Sequence, residues 1–291
     1  MAKGAIGSTV PRRELGRRLR RLREEAGVTI ADAAAELETS SPRIWRIEKG
    51  VIPMRSGEVR LMCELYGADK ETTKALMALA KETKAQDWWR VYADALPQGL
   101  DLLFGLEQAA LDFRWWEPQL VPGVLQTERY AKTVMEADST LSTSDRELLV
   151  KARMDRQRLL LDRGDSPRLD FVIDEGVLDH PATPDLLREQ YLHLLQVSSR
   201  LPNVTLRVIP HSTGLHEGRM AGSFTILEFP HNRQGNGEPT TVYSDAWITP
   251  LYFTKPHEVD RYVKAFDAIE KRSLDEQASA DLIRQRLESL P

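Results

Sequence analysis

The sequence predicts an all-α N-terminal domain of five short helices followed by a larger mixed α/β (α+β) C-terminal domain. Three observations carry this. Apolar residues recur at helical spacing through the first eighty residues, with caps and glycine stops between them. Further on, runs of five to seven β-prone residues are interspersed with helical stretches. The charge also changes sign: residues 1–60 hold 13 Lys and Arg against 8 Asp and Glu, and the remainder holds 27 against 36. A chain of 291 residues has room for two domains of roughly 150 residues each. The expected division is a flexible tail over residues 1–13, the helical domain over 14–82 and the larger domain over 83–291.

The helical elements can be justified in order. Leu15, Leu19, Leu22 and Ala26 form one apolar stripe, surrounded by seven arginines between Arg12 and Arg23. Gly27 stops this helix as a C′ residue. Thr29 opens the next helix, and Asp32 three residues on makes nearly a capping box. The small residues of Ala31–Leu37 suit close helix packing. Ser40 or Ser41 caps a third helix, where Pro42 is tolerated because the first amide hydrogens are unpaired anyway. Gly50 and Pro53 end it. A fourth helix follows Ser56 and ends at Gly67, and a fifth follows Asp69. The tail up to Pro11 has too little apolar content to fold alone; it reads as an arm or as disorder.

Five short helices, the second and third joined by a very short turn, describe a helix-turn-helix unit. The stretch Leu15–Gly50, LGRRLRRLREEAGVTIADAAAELETSSPRIWRIEKG, resembles the Cro/Xre-type repressor domain. Its most specific piece is Ile44-Trp45-Arg46-Ile47-Glu48-Lys49-Gly50. The resemblance implies that the start of the third helix enters a DNA major groove. The implied DNA-binding residues are Ser40, Ser41, Pro42 and Arg46, with Arg43 and Trp45 flanking. Arg46 is the best base reader by chemistry, because its fork matches guanine O6 and N7. Arg17, Arg20 and Arg21 on the first helix are expected on phosphates. Glu48 and Arg23 are implied to form a structural pair. The sequence departs from the pattern at three places: Ile30 replaces a phosphate-binding Gln, Glu38 stands at a turn position that is often Gly, and Trp45 replaces a smaller residue. Glu38 implies either a turn without a positive φ or some strain. Trp45 either rests on a DNA sugar or packs against the larger domain.

The larger domain opens with an aromatic-rich stretch, Trp88, Trp89 and Tyr92, then Phe104, Phe113, Trp115 and Trp116. It reads as a core or interdomain packing layer, with an aromatic ligand cage as the alternative. Leu169–Asp174, Val204–Pro210, Phe224–Phe229 and Thr240–Tyr243 read as strands; Leu186–Leu195 and Val259–Ile269 read as helices. A second resemblance lies in Glu117-Pro118-Gln119-Leu120-Val121-Pro122-Gly123-Val124-Leu125-Gln126-Thr127, Arg153-Met154-Asp155-Arg156-Gln157, Val172–Glu175 and Pro202–Pro210. In that order these look like the C-terminal domain, of uncharacterised function, of actinobacterial Xre-family regulators. The implied setting is transcription regulation, often with a small neighbour-encoded protein in an arrangement like a toxin–antitoxin pair.

Composition bounds the remaining possibilities. With 41% hydrophobic and 29% charged residues, the chain is neither disordered nor collagen-like. No apolar stretch approaches the roughly 20 residues of a membrane span, and the basic N-terminus lacks a signal-peptide core. A single cysteine, Cys63, fits a reducing cytosol. No G-x-S-x-G, GxxxxGK[ST] or G-x-G-x-x-G motif appears, so no enzyme activity and no cofactor is expected. His211, His216 and Glu217 share a loop but lack two further zinc ligands, so no metal is expected. Of Asp174 and Glu175, adjacent at a strand end, one should be exposed. The loop Asn232–Glu238 reads as a hairpin connection. The expected partners are double-stranded DNA and either the small neighbour-encoded protein or a small-molecule effector. A homodimer is expected because such regulators read two half-sites, and no membrane partner is expected. The alternative is a small-molecule sensor or enzyme merely localised to DNA by the basic region.

Overall fold

The computed structural model describes residues 7–85, 87–164, 167–180, 182–230, 237–246 and 249–291. The chain divides into two compact units, Met1–Arg90 with Pro230–Glu238, and Val91–Phe229 with Pro239–Pro291.

The first unit holds five helices: α1 (Thr9–Glu25), α2 (Ile30–Glu36), α3 (Ser41–Glu48), α4 (Ser56–Leu65) and α5 (Lys70–Glu82). Leu15, Leu19, Ala33, Ile44, Ile47, Val59, Met62 and Leu76 are its buried core. The capping box forms as expected: the Thr29 side chain accepts from the Asp32 amide and Asp32 accepts from the Thr29 amide. Helix α1 begins at Thr9, earlier than the expected end of the tail at residue 13. The physical reason lies elsewhere in the unit: Ser8 donates its amide and hydroxyl to the Asp87 carboxylate at 3.0 and 2.6 Å. Ser8, Thr9 and Pro11 are thereby buried. An acidic group at this helix end also opposes the positive end of the helix dipole.

The second unit is built on one six-stranded sheet, so its class is α+β. Its elements are α6 (Leu100–Glu107), β1 (Asp112–Glu117), α7 (Glu128–Ala137), α8 (Thr143–Leu161), β2 (Arg168–Asp174), α9 (Pro184–Arg200), β3 (Val204–Ile209), α10 (Glu217–Ala221), β4 (Phe224–Glu228), β5 (Thr241–Ser244), β6 (Leu251–Phe253), α11 (Pro256–Arg272) and α12 (Glu276–Glu288). The strand order is β3-β2-β1-β4-β5-β6. Strands β1, β2 and β3 are parallel to one another, and β4 to β6 continue the sheet antiparallel. Every residue of β2 after Arg168 is buried, as expected for a parallel strand covered on both faces.

Four expected strands appear within a residue or two of their predicted bounds. The aromatic stretch proves to contain β1: alternation along the strand sends Trp115 to one face and Trp116 to the other. Trp115 packs against Phe171 and Trp116 against His216, each at 5.5 Å between ring centroids. Both Asp174 and Glu175 are buried, contrary to the expectation that one would be exposed. The strand ends at Asp174, which caps a 3₁₀ turn by accepting from the Gly176 amide. Glu175 therefore leaves the strand alternation. Of the loop Asn232–Glu238, residues 232–236 lie outside the described residues.

Candidate nucleic-acid interface and a polar site at the strand ends

The position of α3 follows from the backbone around it. Gly16 of α1 lies so close to α3 that a Cβ there would sit 2.5 Å from the Ile47 carbonyl oxygen and 2.6 Å from that of Glu48. Gly50, just past α3, has φ +69, and an added Cβ would meet Arg13 Cα at 2.6 Å. Between them Arg23 grips Glu48 through Nε at 2.6 Å and Nη2 at 2.9 Å, both residues buried. The hydrogen bond that Arg23 donates to Glu48, opposed by burial, raises the Arg23 pKa further above its ordinary value. The structural pair implied by the sequence therefore forms.

With Ile44 and Ile47 turned inward, α3 exposes Ser41, Pro42, Trp45 and Arg46. Ser40 is its N-cap in extended conformation, and its hydroxyl makes no capping bond. Arg46 has no ion pair among the described residues, whereas Arg43 contacts Glu58 at 2.5 Å. Trp45 is 50% exposed and borders an open groove of about 770 Å³ together with Arg20, Thr29, Ile30 and Lys49. The turn between α2 and α3 takes the strained option: Glu38 has φ +48.

The first-helix arginines separate into two kinds. Arg20 and Arg21 are exposed and reach their own helix's Glu24 and Glu25, each at 2.8 Å. Arg17 fits phosphate contact least, because its donors are occupied: it bonds Glu238 at 2.7 Å, Glu14 at 2.9 Å and the Gly237 carbonyl at 3.0 Å. Arg13 shares the same buried Glu238 at 2.7 Å.

In the second unit, the motif residues gather at the carboxyl ends of the parallel strands, where open α/β sheets place ligands. Glu117 ends β1 and accepts from Ser223 Oγ at 2.9 Å. The Val121–Thr127 loop that follows is held by two side-chain amides, the buried Gln190 and the half-buried Gln157. Gln157 donates to the Val124 and Gln126 carbonyls, and Gln190 donates to the Leu125 carbonyl and accepts from the Thr127 amide. Helix α8 turns Arg153 and Arg156 toward this loop. Arg156 binds Glu107 bidentately at 2.8 and 2.6 Å and lies over the Phe104 and Trp115 rings. Arg153 bonds Gln126 Oε1 at 2.5 Å. Burial, with Arg156 beside it, lowers the Arg153 pKa to about 10. Burial also raises the Glu117 pKa to about 7.

On the opposite sheet face His216 is buried beside Asp174, Nε2 to Oδ2 3.9 Å, and Asp174 holds Arg219 at 2.8 Å. Burial lowers the His216 pKa. The loop residues considered for metal binding diverge: His211 lies with Asp179 and Glu175 instead of His216. Arg286 already occupies those two carboxylates at 2.5 and 3.0 Å. Sequence reading missed Asp245, Thr225 and Tyr243, since strand pairing alone brings them near Glu117.

The helix-turn-helix geometry defines the first unit's class, and residues 14–76 match a helix-turn-helix domain, which marks a DNA-binding regulator. The chain belongs to the family described as domain of unknown function DUF5753, which residues 100–285 match. No curated protein and no solved structure matches it. Among the described residues, no helix is long and apolar enough to cross a membrane.

Proposed function

We propose that the protein is a sequence-specific transcription regulator of Cro/Xre type, of the kind found in actinobacteria, acting on DNA as a cytoplasmic homodimer. Helix α3 lies in the major groove, with Arg46 reading a guanine and Ser41, Pro42 and Trp45 on neighbouring base or sugar positions. Ser40 and Arg43 flank the same surface. Arg20 and Arg21 meet phosphates, exchanging intrahelical glutamates worth only a few tenths of a kcal/mol each. Arg17 joins them only by releasing Glu238. The observation that carries this reading is Arg46, exposed on α3 with no acidic partner among the described residues.

The C-terminal unit is the part that senses a signal. A small effector is one candidate; the small neighbour-encoded protein of a toxin–antitoxin-like arrangement is the other. The second reading, a sensor or enzyme merely localised to DNA, draws on the polar groups at the carboxyl ends of the parallel strands.

The test is capture of sheared genomic DNA by the full-length protein, followed by sequencing. The expected result is enrichment of sites with two symmetric half-sites about 34 Å apart along the duplex. Enrichment no greater than in a protein-free control would overturn the regulator reading.

A further inference from the structure

We propose that the face of the sheet beneath α8, at the carboxyl ends of the parallel strands, binds a small zwitterion of amino-acid type. Its carboxylate meets Arg153 and its ammonium lies between Glu117 and Asp245. The proposal rests on the reading that the C-terminal unit senses an effector.

The charges here face one another without touching. Arg153 is bonded to a neutral amide, and no carboxylate of a described residue comes within 4.0 Å of it. Glu117 has Ser223 as its side-chain partner and no cation within that distance among the described residues. Ser223, which donates to Glu117, accepts at its carbonyl from Ser244 Oγ at 3.0 Å, and Asp245 follows Ser244 in the chain, so Glu117 and Asp245 lie at the same end of the sheet. Arg156 is not available, since Glu107 already neutralises it. What remains is one guanidinium without an ion pair among the described residues and two acids, of which Asp245 is exposed and accepts from the Tyr243 hydroxyl.

A second observation points to the same place. Strand register puts Trp115, Thr225 and Tyr243 side by side on one face. Thr225 is 1% exposed, and its hydroxyl has no hydrogen-bond partner. A buried orphan hydroxyl is destabilising, and a polar guest would satisfy it. Gly123 lies against both guanidiniums: a Cβ there would stand at ordinary contact distance, 3.6 Å from Arg156 Nη1 and 3.7 Å from Arg153 Nε, in the place a guest beside Arg153 would use.

The charge pattern selects the class of guest. A simple anion would meet Arg153 but be repelled by Asp245, and by Glu117 once it has lost its proton. A simple cation would meet the acids but be repelled by Arg153. A dipolar molecule satisfies both ends, and charge-assisted bonds to a guanidinium fork suit a carboxylate.

The experiment is calorimetric titration of the full-length protein with each of the twenty L-amino acids, then with the carboxamide and the deaminated acid of any that binds. We expect saturable one-to-one binding of at least one, and at least tenfold weaker binding of both single-charge analogues. Arg153→Lys should weaken binding at least tenfold. Gly123→Ala should weaken it too, while leaving every charge in place and the thermal midpoint within a degree of wild type. No binding at millimolar concentration, or equal binding of the carboxamide, would overturn the proposal; so would indifference to both variants. Genomic DNA capture by the same preparation separates the two readings. Intact capture without amino-acid binding removes this site alone, and amino-acid binding without capture removes the regulator reading alone.

Discussion

Arg23 and Glu48 tie the end of α1 to the end of α3 through a buried bidentate pair. Removing one partner of such a pair costs about 3–5 kcal/mol, because the other charge is left buried and alone. Its value is positional: it fixes α3 against α1 and so aims the exposed face. Glu38 is the opposite case, a residue in the left-handed region at φ +48, exposed and held by the turn hydrogen bonds from Glu38 N to Ala35 O and Thr39 N to Ala34 O. Glycine takes this conformation without the Cβ penalty. Glu38→Gly is therefore expected to stabilise the protein by about 1 kcal/mol, read as a higher urea midpoint; an unchanged or lower midpoint contradicts the strain. Glu117 carries a pH dependence. It faces Ser223 before β4, Asp245 after β5, Arg153 of α8 and Tyr130 of α7. Burial raises its pKa from 4.5 to about 7. Between those values the folded chain keeps a proton that the unfolded chain has lost, so this group's contribution to stability falls as pH rises through the window. The full effect is at most about 3 kcal/mol. Glu117→Gln should gain stability relative to wild type between pH 5 and pH 8 in urea unfolding. An equal difference at both pH values would show that Glu117 is not held protonated.

At the scale of elements, the contact of α1 with α3 depends on Gly16. An added Cβ would press on two carbonyl oxygens of the α3 backbone, which cannot move without moving the helix. Gly16→Ala should cost about 3 kcal/mol and shift α3. By contrast Gly57→Ala, where a Cβ meets nothing within 4 Å, should change stability by no more than about 1 kcal/mol in the favourable direction. Comparable unfolding midpoints for the two variants would remove the close-contact argument. The same elements show what a sequence can reveal. Caps at Thr29 and Asp69 and the stripe from Leu15 to Leu22 are local signals, so the helices of the first unit were legible. Strand β1 alternates only over Asp112–Trp115 before Trp116 breaks the pattern, so its aromatics read as a packing layer and not as a strand. Helix α8 carries its arginines toward buried partners, so its polar residues hide its periodicity. Strand β6 is three residues long, too short to leave a pattern. Start of α1 at Thr9 was hidden because Asp87, far along the chain, supplies its cap.

At the scale of the whole molecule, the two units differ in the chemistry they offer. The N-terminal 60 residues carry a net charge of +5 and the remainder −9, so electrostatic attraction to DNA belongs to the first unit. The exposed face of α3 was legible because it lies within the eight consecutive residues Ser41–Glu48. The polar group at the carboxyl ends of the parallel strands was half legible: Glu117, Gln126 and Arg153 stand in motifs, but Thr225, Tyr243 and Asp245 join them only through β4 and β5. The central claim is that Arg46 reads a base while Arg20 and Arg21 hold the backbone. The most direct measurement is affinity for cognate and scrambled duplexes over a salt series. Arg46→Ala should cost about 1–3 kcal/mol on the cognate duplex and little on the scrambled one. Arg20→Ala with Arg21→Ala should weaken both duplexes alike and flatten the slope of log affinity against log salt by up to about two. Equal losses on both duplexes for Arg46→Ala would mean that this arginine only touches the backbone, and would contradict the placement of α3 in the groove.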